Sequence, residues 1–214
     1  MSEFDSSIAR IESAFNAIKL PGMEAQLQMS PLTRKMQESM AKNSVTARKS
    51  AVLILFYPIS DKPHIAMIKR APDNTVHSGQ ISFPGGKTEE RDISVIDTAL
   101  REANEEVGVD REKVVVIGQL SKLYIPPSNF DVFTIVGFTN EQPNFIINDE
   151  VDKLLEVDLD DLLNPKSKTY RKINSRDGNE YVVPCYYIQG EVIWGATGMI
   201  LAELLSLIER KKSK

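Results

Sequence analysis

Three glutamates fall within five residues in the middle of the chain, and they limit what the chain can fold into more than any other feature. A helix turns by about 100° per residue, which places Glu102, Glu105 and Glu106 on one narrow face of the helix. We expect these side chains to face away from the core. Like charges at such spacings destabilise a helix unless a cation lies between them. Mg²⁺ prefers oxygen ligands and is often bound by carboxylates together with substrate phosphates. The pattern therefore predicts a metal-binding helix, with Arg101 placed to pair with one carboxylate.

Glycines flank this helix on both sides. Gly85 and Gly86 would let the backbone come close to a ligand or a metal, because no Cβ is in the way. Gly108 suits the end of the helix, where positive φ is common. The alternative is a solvated charged face, which is the ordinary explanation of a bare Glu-x-x-Glu-Glu. The longer pattern Arg-Glu-x-x-Glu-Glu-x-Gly is expected by chance about once in a million positions, and this rarity favours the metal-binding interpretation.

The rest of the main region alternates short strands with a few helices. The apolar run from Ala51 to Tyr57 predicts a strand buried on both faces. The dipeptide Asp177-Gly178 predicts the turn of a hairpin. Further strands are predicted at residues 65–68, 114–117, 132–138, 169–173 and 181–188, and helices at 93–107, within 154–163 and at 195–209. The helix at 93–107 should bury Ile96, Leu100, Ala103 and Val107. This order indicates the α/β or α+β class.

The first 45 residues follow a different pattern. Apolar residues recur there at three- and four-residue steps, which predicts one buried face of a helix. These residues are Ile8, Ile11, Phe15 and Ile18. Residues 5–7 are candidate caps, and Pro21-Gly22 should end the helix. Residues 23–44 are polar and rich in methionine, and we expect them to lie across the main domain. The chain should thus consist of a helical extension, residues 1–45, and a main domain, residues 46–214.

Charge and cysteine content exclude several classes of function. Lys and Arg number 26 and Asp and Glu 30, which gives a net charge of −4 and a pI of about 5.4. A general binder of nucleic acid polymers would need a large cationic face, so we do not expect a nucleic acid polymer as a partner. The single Cys185 excludes an internal disulfide framework and fits a reducing compartment. No stretch approaches the roughly 20 apolar residues that cross a bilayer, and the first four residues lack a signal-like pattern. We therefore expect a cytoplasmic protein with no membrane partner.

The segment that follows the two glycines resembles a known family. Gly86, Asp92 and Arg101-Glu-Ala-Asn-Glu-Glu-Val-Gly-Val109 are similar to the Nudix box, a loop–helix–loop that binds divalent metal and hydrolyses nucleoside diphosphates linked to another group. Compared with the general box, the glycine comes one residue early and the middle acid is aspartate. A bulky aliphatic residue usually follows Arg-Glu, and Ala103 stands there. The resemblance implies an α/β/α sandwich, in which a mixed sheet lies between helices, and a Mg²⁺ or Mn²⁺ cofactor.

A longer upstream segment narrows the resemblance to one branch. Arg70 and the run His77-Ser-Gly-Gln-Ile-Ser-Phe-Pro-Gly-Gly86 are similar to the signature that precedes the box in coenzyme A diphosphatases. A second arginine is expected between Arg70 and His77, where Thr75 stands, and a threonine is expected at Ile68. Residues 125–130 and 193–197 also resemble this branch, so the likeness covers most of the chain after residue 46. It implies hydrolysis of coenzyme A or its derivatives to 3′,5′-ADP and 4′-phosphopantetheine.

The resemblance, together with the residue types and their places in the chain, gives candidate residues for this reaction, which is attack of water on one phosphorus of a diphosphate. The implied metal ligands are Gly86, Glu102, Glu105 and Glu106. The candidate catalytic residues are Glu105, Glu150 and Arg101, and either glutamate could serve as the proton acceptor. The candidate substrate-binding residues are Arg70, His77, Gln80, Lys87 and Phe130.

Several alternatives stay open at this stage. The substrate could be another nucleoside diphosphate, such as ADP-ribose or a dinucleotide. A non-catalytic binding module of the same fold would be expected to lose the metal carboxylates, whereas all three are present. An acidic-faced globular domain would leave the glycine loop unexplained. The apolar face of the first helix must be buried on its own domain or on a second copy, so a homodimer also stays open.

Overall fold

One long strand, β1 (Arg48–Ile59), lies at the centre of the structure, a computed structural model that describes residues 1–17, 19–31, 46–72, 78–126, 128–174 and 180–210. The strand is buried without a break from Leu53 to Tyr57, because elements cover both of its faces. This confirms the predicted two-sided burial. The chain then turns through Ser60 and Asp61, both at positive φ, and returns antiparallel as β2 (Lys62–Arg70).

Six further strands extend this sheet. The order is β3-β2-β1-β7-β5, with β4 paired to β1, β6 to β7 and β8 to β2. The strands are β3 (Ile81–Ser82), β4 (Gly85–Lys87), β5 (Val115–Gln119), β6 (Leu123–Ile125), β7 (Phe130–Phe138) and β8 (Val151–Asp158). β1 and β7 run parallel, so that Arg48 lies beside Phe130 at one end of the pair. The other pairs in this sheet are antiparallel, and the sheet is therefore mixed, as the resemblance implies.

Helices cover both faces of the sheet. The helices are α1 (Glu3–Ala17), α2 (Gly22–Gln26), α3 (Val95–Val107), α4 (Leu159–Leu163) and α5 (Gly195–Arg210). On one face, α3 packs against alternate residues of β1, among them Leu53 and Leu55. On the other face, α1 and α5 share a core with Ile54 and Phe56. The predicted α/β sandwich is confirmed. None of the helices in these described ranges is both long and apolar enough to pass through a bilayer.

A smaller antiparallel sheet precedes α5. It contains β9 (Lys168–Asn174), β10 (Glu180–Ile188) and β11 (Glu191–Ile193). The predicted hairpin strands are confirmed, and the predicted turn at Asp177-Gly178 lies outside the described residues. The helix expected within residues 154–163 is shorter than that span, because residues 154–158 continue β8.

Helix α1 begins at Glu3, before the residues that were predicted to cap it. The Ser2 hydroxyl accepts a hydrogen bond from the Asp5 N–H, and the Asp5 carboxylate accepts one from the Ser2 N–H. This reciprocal pair is a capping arrangement, so the expectation that residues 5–7 cap the helix was wrong. Ile8 and Ile11 are buried in the core of their own chain, and Phe15 packs partly against it. Ile18 lies outside the described residues.

The segment after α1 is tied to the C-terminal helix. Helix α1 ends at Ala17, and Pro21 comes directly before α2 rather than ending α1. The Gly22 N–H and the Gln26 side-chain amide both donate to the Glu203 carboxylate of α5. A short 3-10 turn follows and buries Met29. Residues 32–45 of the predicted extension lie outside the described residues, and its boundary at residue 45 stays a prediction.

Candidate active site

Helix α3 carries the three glutamates and is bounded by clear signals. The Ser94 hydroxyl accepts from the Asp97 N–H at the start of the helix, which begins at Val95 and not at the predicted residue 93. Gly108 adopts φ 72° at its end, as the sequence predicts. Ala103 and Val107 are fully buried, but Ile96 is 39% exposed. The prediction that Ile96 is buried was therefore wrong. The apolar face of α3 is turned toward the side that carries Ala99, because this is the side that meets β1.

Glu106 lies inside the protein and does not face solvent as expected. Its side chain is 3% exposed. The Gly85 N–H donates to its Oε2 at 2.8 Å. A Cβ on Gly85 would lie within 3 Å of backbone atoms of Ala51 and Val52, and the residue has φ 156°, so only glycine suits this position. The glycine loop thus holds the carboxylate of Glu106 from its backbone.

Gly86 and Glu102 are in direct contact. A Cβ built on Gly86 would lie 2.5 Å from the Glu102 carboxylate. The missing side chain is therefore what lets Glu102 lie against the loop, while the predicted approach of a ligand or a metal to these glycines stays a prediction. Glu102 is partly buried and its Oε1 lies 3.0 Å from Nη2 of Arg101.

Arg101 organises the polar side of α3. Its side chain is 7% exposed. Nε and Nη2 donate to the two oxygens of Asp92 at 2.8 and 3.0 Å, and Nη1 donates to Glu105 at 3.0 Å. Nη2 also donates to the Lys87 carbonyl. Asp92, the aspartate in the middle of the box-like segment, thus fixes the arginine. Arg101 contacts Glu102 and Glu105 but does not itself face open solvent.

Arg70 and Glu150 join the site from two other elements. Nη1 of Arg70 lies 3.5 Å from Glu106, and Nη2 lies 3.8 Å from Glu150. The loop before Glu150 wraps around the end of α3, because the Asn148 N–H donates to the Glu106 carbonyl. The Glu150 carbonyl then accepts from the Ala71 N–H at 2.8 Å. Glu150 itself stays 66% exposed.

These carboxylates perturb one another. The pKa of Glu106 is raised to about 7, mainly by burial and to a smaller extent by the charges of Glu102 and Glu150, against the opposing effect of the Gly85 N–H and Arg70. Burial also raises the pKa of Glu102, which Arg101 opposes. The hydrogen bonds from Arg101 hold the pKa of Asp92 well below its usual range. The site therefore carries crowded negative charge that is only partly balanced by arginine.

This donor set fits a hard divalent cation. The donors are carboxylate oxygens, which Mg²⁺ and Mn²⁺ prefer. Glu102 feels the repulsion of Glu105 and Glu150, and Glu106 that of Glu102 and Glu150, which a cation among them would remove. Within the described ranges, no three acidic, histidine or cysteine side chains converge as a finished metal-binding group. Glu102 and Glu106 are instead paired with Arg101 and Arg70.

The other predicted site residues lie in different surroundings. The Gln80 carbonyl accepts from the Arg70 N–H, so Gln80 lies beside the site through its backbone. Lys87 and Phe130 line a separate pocket at the start of β1 and β7. His77 lies outside the described residues. The structure thus brings Gly86, Arg70, Glu150 and the polar residues of α3 together. The roles of all these residues remain predictions.

Two arginines near the site were missed by the sequence analysis. Arg91 donates to Oε1 of Glu105 at 3.0 Å, and Arg48 lies over the Phe130 ring, 4.2 Å from its centre. Arg91 lies in the loop between the glycines and α3, and its proximity in sequence was a usable signal. Arg48 had none, because it meets Phe130 only through the parallel pairing of β1 with β7.

Comparisons with known proteins agree with this geometry. The profile of the NUDIX domain matches residues 47–176. A Nudix hydrolase called NudL from Photorhabdus laumondii, itself uncharacterized, is 33% identical over 185 residues, which cover 86% of this chain and 94% of the relative. NudL of Pectobacterium atrosepticum is 35% identical over 182 residues, covering 84% and 88%.

Solved structures share the fold. The NUDIX domain of Shewanella oneidensis NrtR, in complex with ADP ribose, superposes with a TM-score of 0.50 and covers 86% of this chain and 100% of that domain, at 14% identity. A MutT/nudix family protein from Enterococcus faecalis also gives 0.50 and covers 87% and 73%, at 13% identity. At such low identity these matches show the fold alone.

Proposed function

The chain belongs to the Nudix family of hydrolases, and from this premise we propose that it hydrolyses coenzyme A or a derivative to 3′,5′-ADP and 4′-phosphopantetheine. The observation that carries the proposal is the contact of Arg70 with Glu106 and Glu150. Arg70 begins the segment that resembles the coenzyme A diphosphatase signature, and Glu106 belongs to the box-like helix. The two motifs therefore contribute to one site.

The metal would be held by the carboxylates that crowd around Gly86. Glu102 and Glu106 are the main candidates, with the Gly86 carbonyl and Glu105 next to them. When bound, Mg²⁺ or Mn²⁺ neutralises phosphate charge and lowers the pKa of an attacking water. Arg101 and Asp92 keep Glu102 and Glu105 in position. Arg70 would turn from Glu106 and Glu150 to the diphosphate and balance part of its negative charge.

Glu150 is the better candidate for the proton acceptor. Both oxygens of Glu105 are already engaged, one by Arg91 and the other by Arg101. Glu150 has a longer contact, 3.8 Å from Arg70, and its side chain is largely exposed at the mouth of the site. It can therefore approach a bound water more freely. The single cysteine supports a cytoplasmic place of action.

A substrate panel with identified products tests the proposal. The wild-type protein should convert coenzyme A to the two stated products in the presence of Mg²⁺ or Mn²⁺, and EDTA should stop the reaction. Glu150→Gln should reduce kcat by more than Glu105→Gln. Glu112→Gln changes an exposed glutamate in the turn after α3 and serves as the matched control.

The second candidate substrate is ADP-ribose or a dinucleotide. Thr75 and Ile68 stand where the coenzyme A branch has other residues, and a domain of the same fold is known with ADP ribose bound. Equal or better turnover of ADP-ribose than of coenzyme A would overturn the coenzyme A assignment. No turnover of any diphosphate with either metal would instead favour a binding module that does not catalyse.

A further inference from the structure

A cationic pocket opens beside the site, where β1, β4 and β7 come together. It has a volume of about 400 Å³ and is lined by Arg48, Lys49, Lys87, the ring of Phe130 and the segment 88–90. The guanidinium of Arg48 covers the Phe130 ring at 4.2 Å and donates to the Ser128 carbonyl at 3.0 Å. These two contacts hold its planar group in one orientation.

The charges of the pocket favour an anion. Within the described ranges, neither the Lys49 nor the Lys87 ammonium has an ion pair with a carboxylate. Glu89 already pairs with Arg91 at 2.8 Å. The remaining carboxylate, Glu90, is the one group in the lining that opposes an anion. The lining thus contains three cationic residues and one acid, Glu90, that has no ion pair within the described ranges.

The pocket is linked to the carboxylates through β4 and β1. Lys87 follows Gly86 directly, and Gly86 touches Glu102. In the sheet, Gly86 pairs with Ala51, and Arg48 lies three residues before Ala51 along β1. At the usual rise of a strand, three residues correspond to about 10 Å. A nucleoside with a diphosphate at the carboxylates can therefore place a further phosphate, separate from the diphosphate, among these cations.

Resting on the proposed function, we propose that Arg48, Lys49 and Lys87 form a subsite for the additional phosphate monoester of a nucleoside bisphosphate, such as the 3′-phosphate of coenzyme A. Arg70 is less suited to this contact, because its charge already faces Glu106 and Glu150. Selectivity for the phosphorylated ribose then comes from the start of β1. The stacked Arg48 supplies planar recognition, and the two lysines supply mobile charge.

The test compares substrates with and without the monoester. Arg48→Ala/Lys49→Ala should lower the ratio of kcat/KM for coenzyme A over dephospho-coenzyme A by about tenfold or more, as expected for lost charge-assisted contacts. Lys113→Ala removes an exposed lysine outside the pocket and should leave the ratio unchanged. Arg70→Ala should lower the turnover of both substrates with less effect on their ratio. An unchanged ratio in the double variant would overturn the proposal.

Direct binding separates this proposal from the proposed function. Calorimetry with 3′,5′-ADP and with 5′-AMP needs no turnover. Wild-type protein should bind 3′,5′-ADP more tightly, and the double variant should lose that difference, whereas Glu90→Gln should increase it. If coenzyme A is not hydrolysed but the binding difference depends on Arg48 and Lys49, the proposed reaction fails and the subsite stands. Equal binding of the two nucleotides by the wild-type protein would overturn the subsite, even if coenzyme A is hydrolysed.

Discussion

The amide nitrogen of Gln26 lies 2.7 Å from Oε2 of Glu203, and this contact joins α2 to the C-terminal helix across 177 positions of sequence. Glu203 is fully buried. Its other oxygen accepts from the backbone N–H groups of Gly22 and Ser121, each at 3.1 Å. A buried carboxylate with three donors holds three separate segments together.

Replacing Glu203 should therefore destabilise the fold. Glu203→Ala removes the acceptor of the Gly22 and Ser121 N–H groups and leaves the Gln26 amide with only the Ser121 carbonyl. Each unsatisfied buried group costs about 1–3 kcal/mol. We expect the free energy of unfolding, measured in urea, to fall by at least about 2 kcal/mol by this reasoning. Glu209→Ala, at an exposed position of the same helix, should change it little. Equal effects of the two substitutions would contradict the anchoring role of Glu203.

The apolar face of α1 should contribute to the stability of the main core. Ile11 is fully buried there, so Ile11→Ala should cost about 2–5 kcal/mol. Glu12→Ala, next to it on the helix, is the control. Deleting residues 1–22 should lower the melting temperature and leave the site on α3 formed. A deletion that changes neither the melting temperature nor the solution mass would show that the helix is dispensable.

The three glutamates of α3 should matter for turnover more than for folding. At least two of Glu102→Gln, Glu105→Gln and Glu106→Gln should lower kcat/KM by about a hundredfold or more, the loss commonly found when electrostatic stabilisation is removed. We expect Glu102 and Glu106, which lie against the glycine loop, to show the larger losses. Steady-state kinetics at fixed Mg²⁺, with Glu112→Gln as control, measures this. Wild-type rates in all three variants would mean that α3 does not bind the metal.

Gly86→Ala should separate activity from stability. The new Cβ would lie 2.5 Å from the Glu102 carboxylate, which is the far end of a flexible side chain and can move aside. The protein should therefore fold and melt close to the wild type, while Glu102 loses its position and kcat falls. Gly198→Ala meets only ordinary contacts and serves as the control. Full activity in Gly86→Ala would show that close approach of Glu102 to the loop is not needed.

The Asp92–Arg101 pair predicts a stability that depends on pH. The folded-state pKa of Asp92 is lowered by the hydrogen bonds from Arg101, so the pair contributes stability above the unfolded-state pKa of about 3.9. That contribution is lost as the pH falls from there through the lower folded-state pKa. Asp92→Asn should cost about 1.5–3 kcal/mol at neutral pH, because it removes the charged acceptor of two hydrogen bonds from the buried Arg101, which keeps Glu102, Glu105 and the Lys87 carbonyl as partners. The difference in the free energy of unfolding between Asp92→Asn and the wild type should shrink below pH 4.

Unfolding curves of both proteins between pH 2 and pH 7 measure this difference. Asp152→Asn changes an exposed aspartate on β8 and should show no such trend. A stability difference between Asp92→Asn and the wild type that is independent of pH would mean that the charge of Asp92 does not hold Arg101.

Local patterns in the sequence determined the elements of this protein. The apolar run at residues 51–57 predicted β1, the spacing of Glu102, Glu105 and Glu106 predicted α3, and Gly108 predicted its end. Such features depend on backbone preferences and on the period of apolar residues, which act over a few positions. The family resemblance then supplied the layers of the sandwich, which single elements do not fix.

Tertiary structure alone decided which faces are covered and which charges meet. The helical period predicted that Ile96 is buried and that Glu106 faces solvent, and the structure shows the reverse. The reason is that the burial of a helix face depends on where β1 and the glycine loop lie. Arg70 meets Glu106 across 36 positions of sequence. Arg48 meets Phe130 only because two distant strands run parallel. Contacts of this kind are set by the packing of whole elements, which no local pattern of residues records.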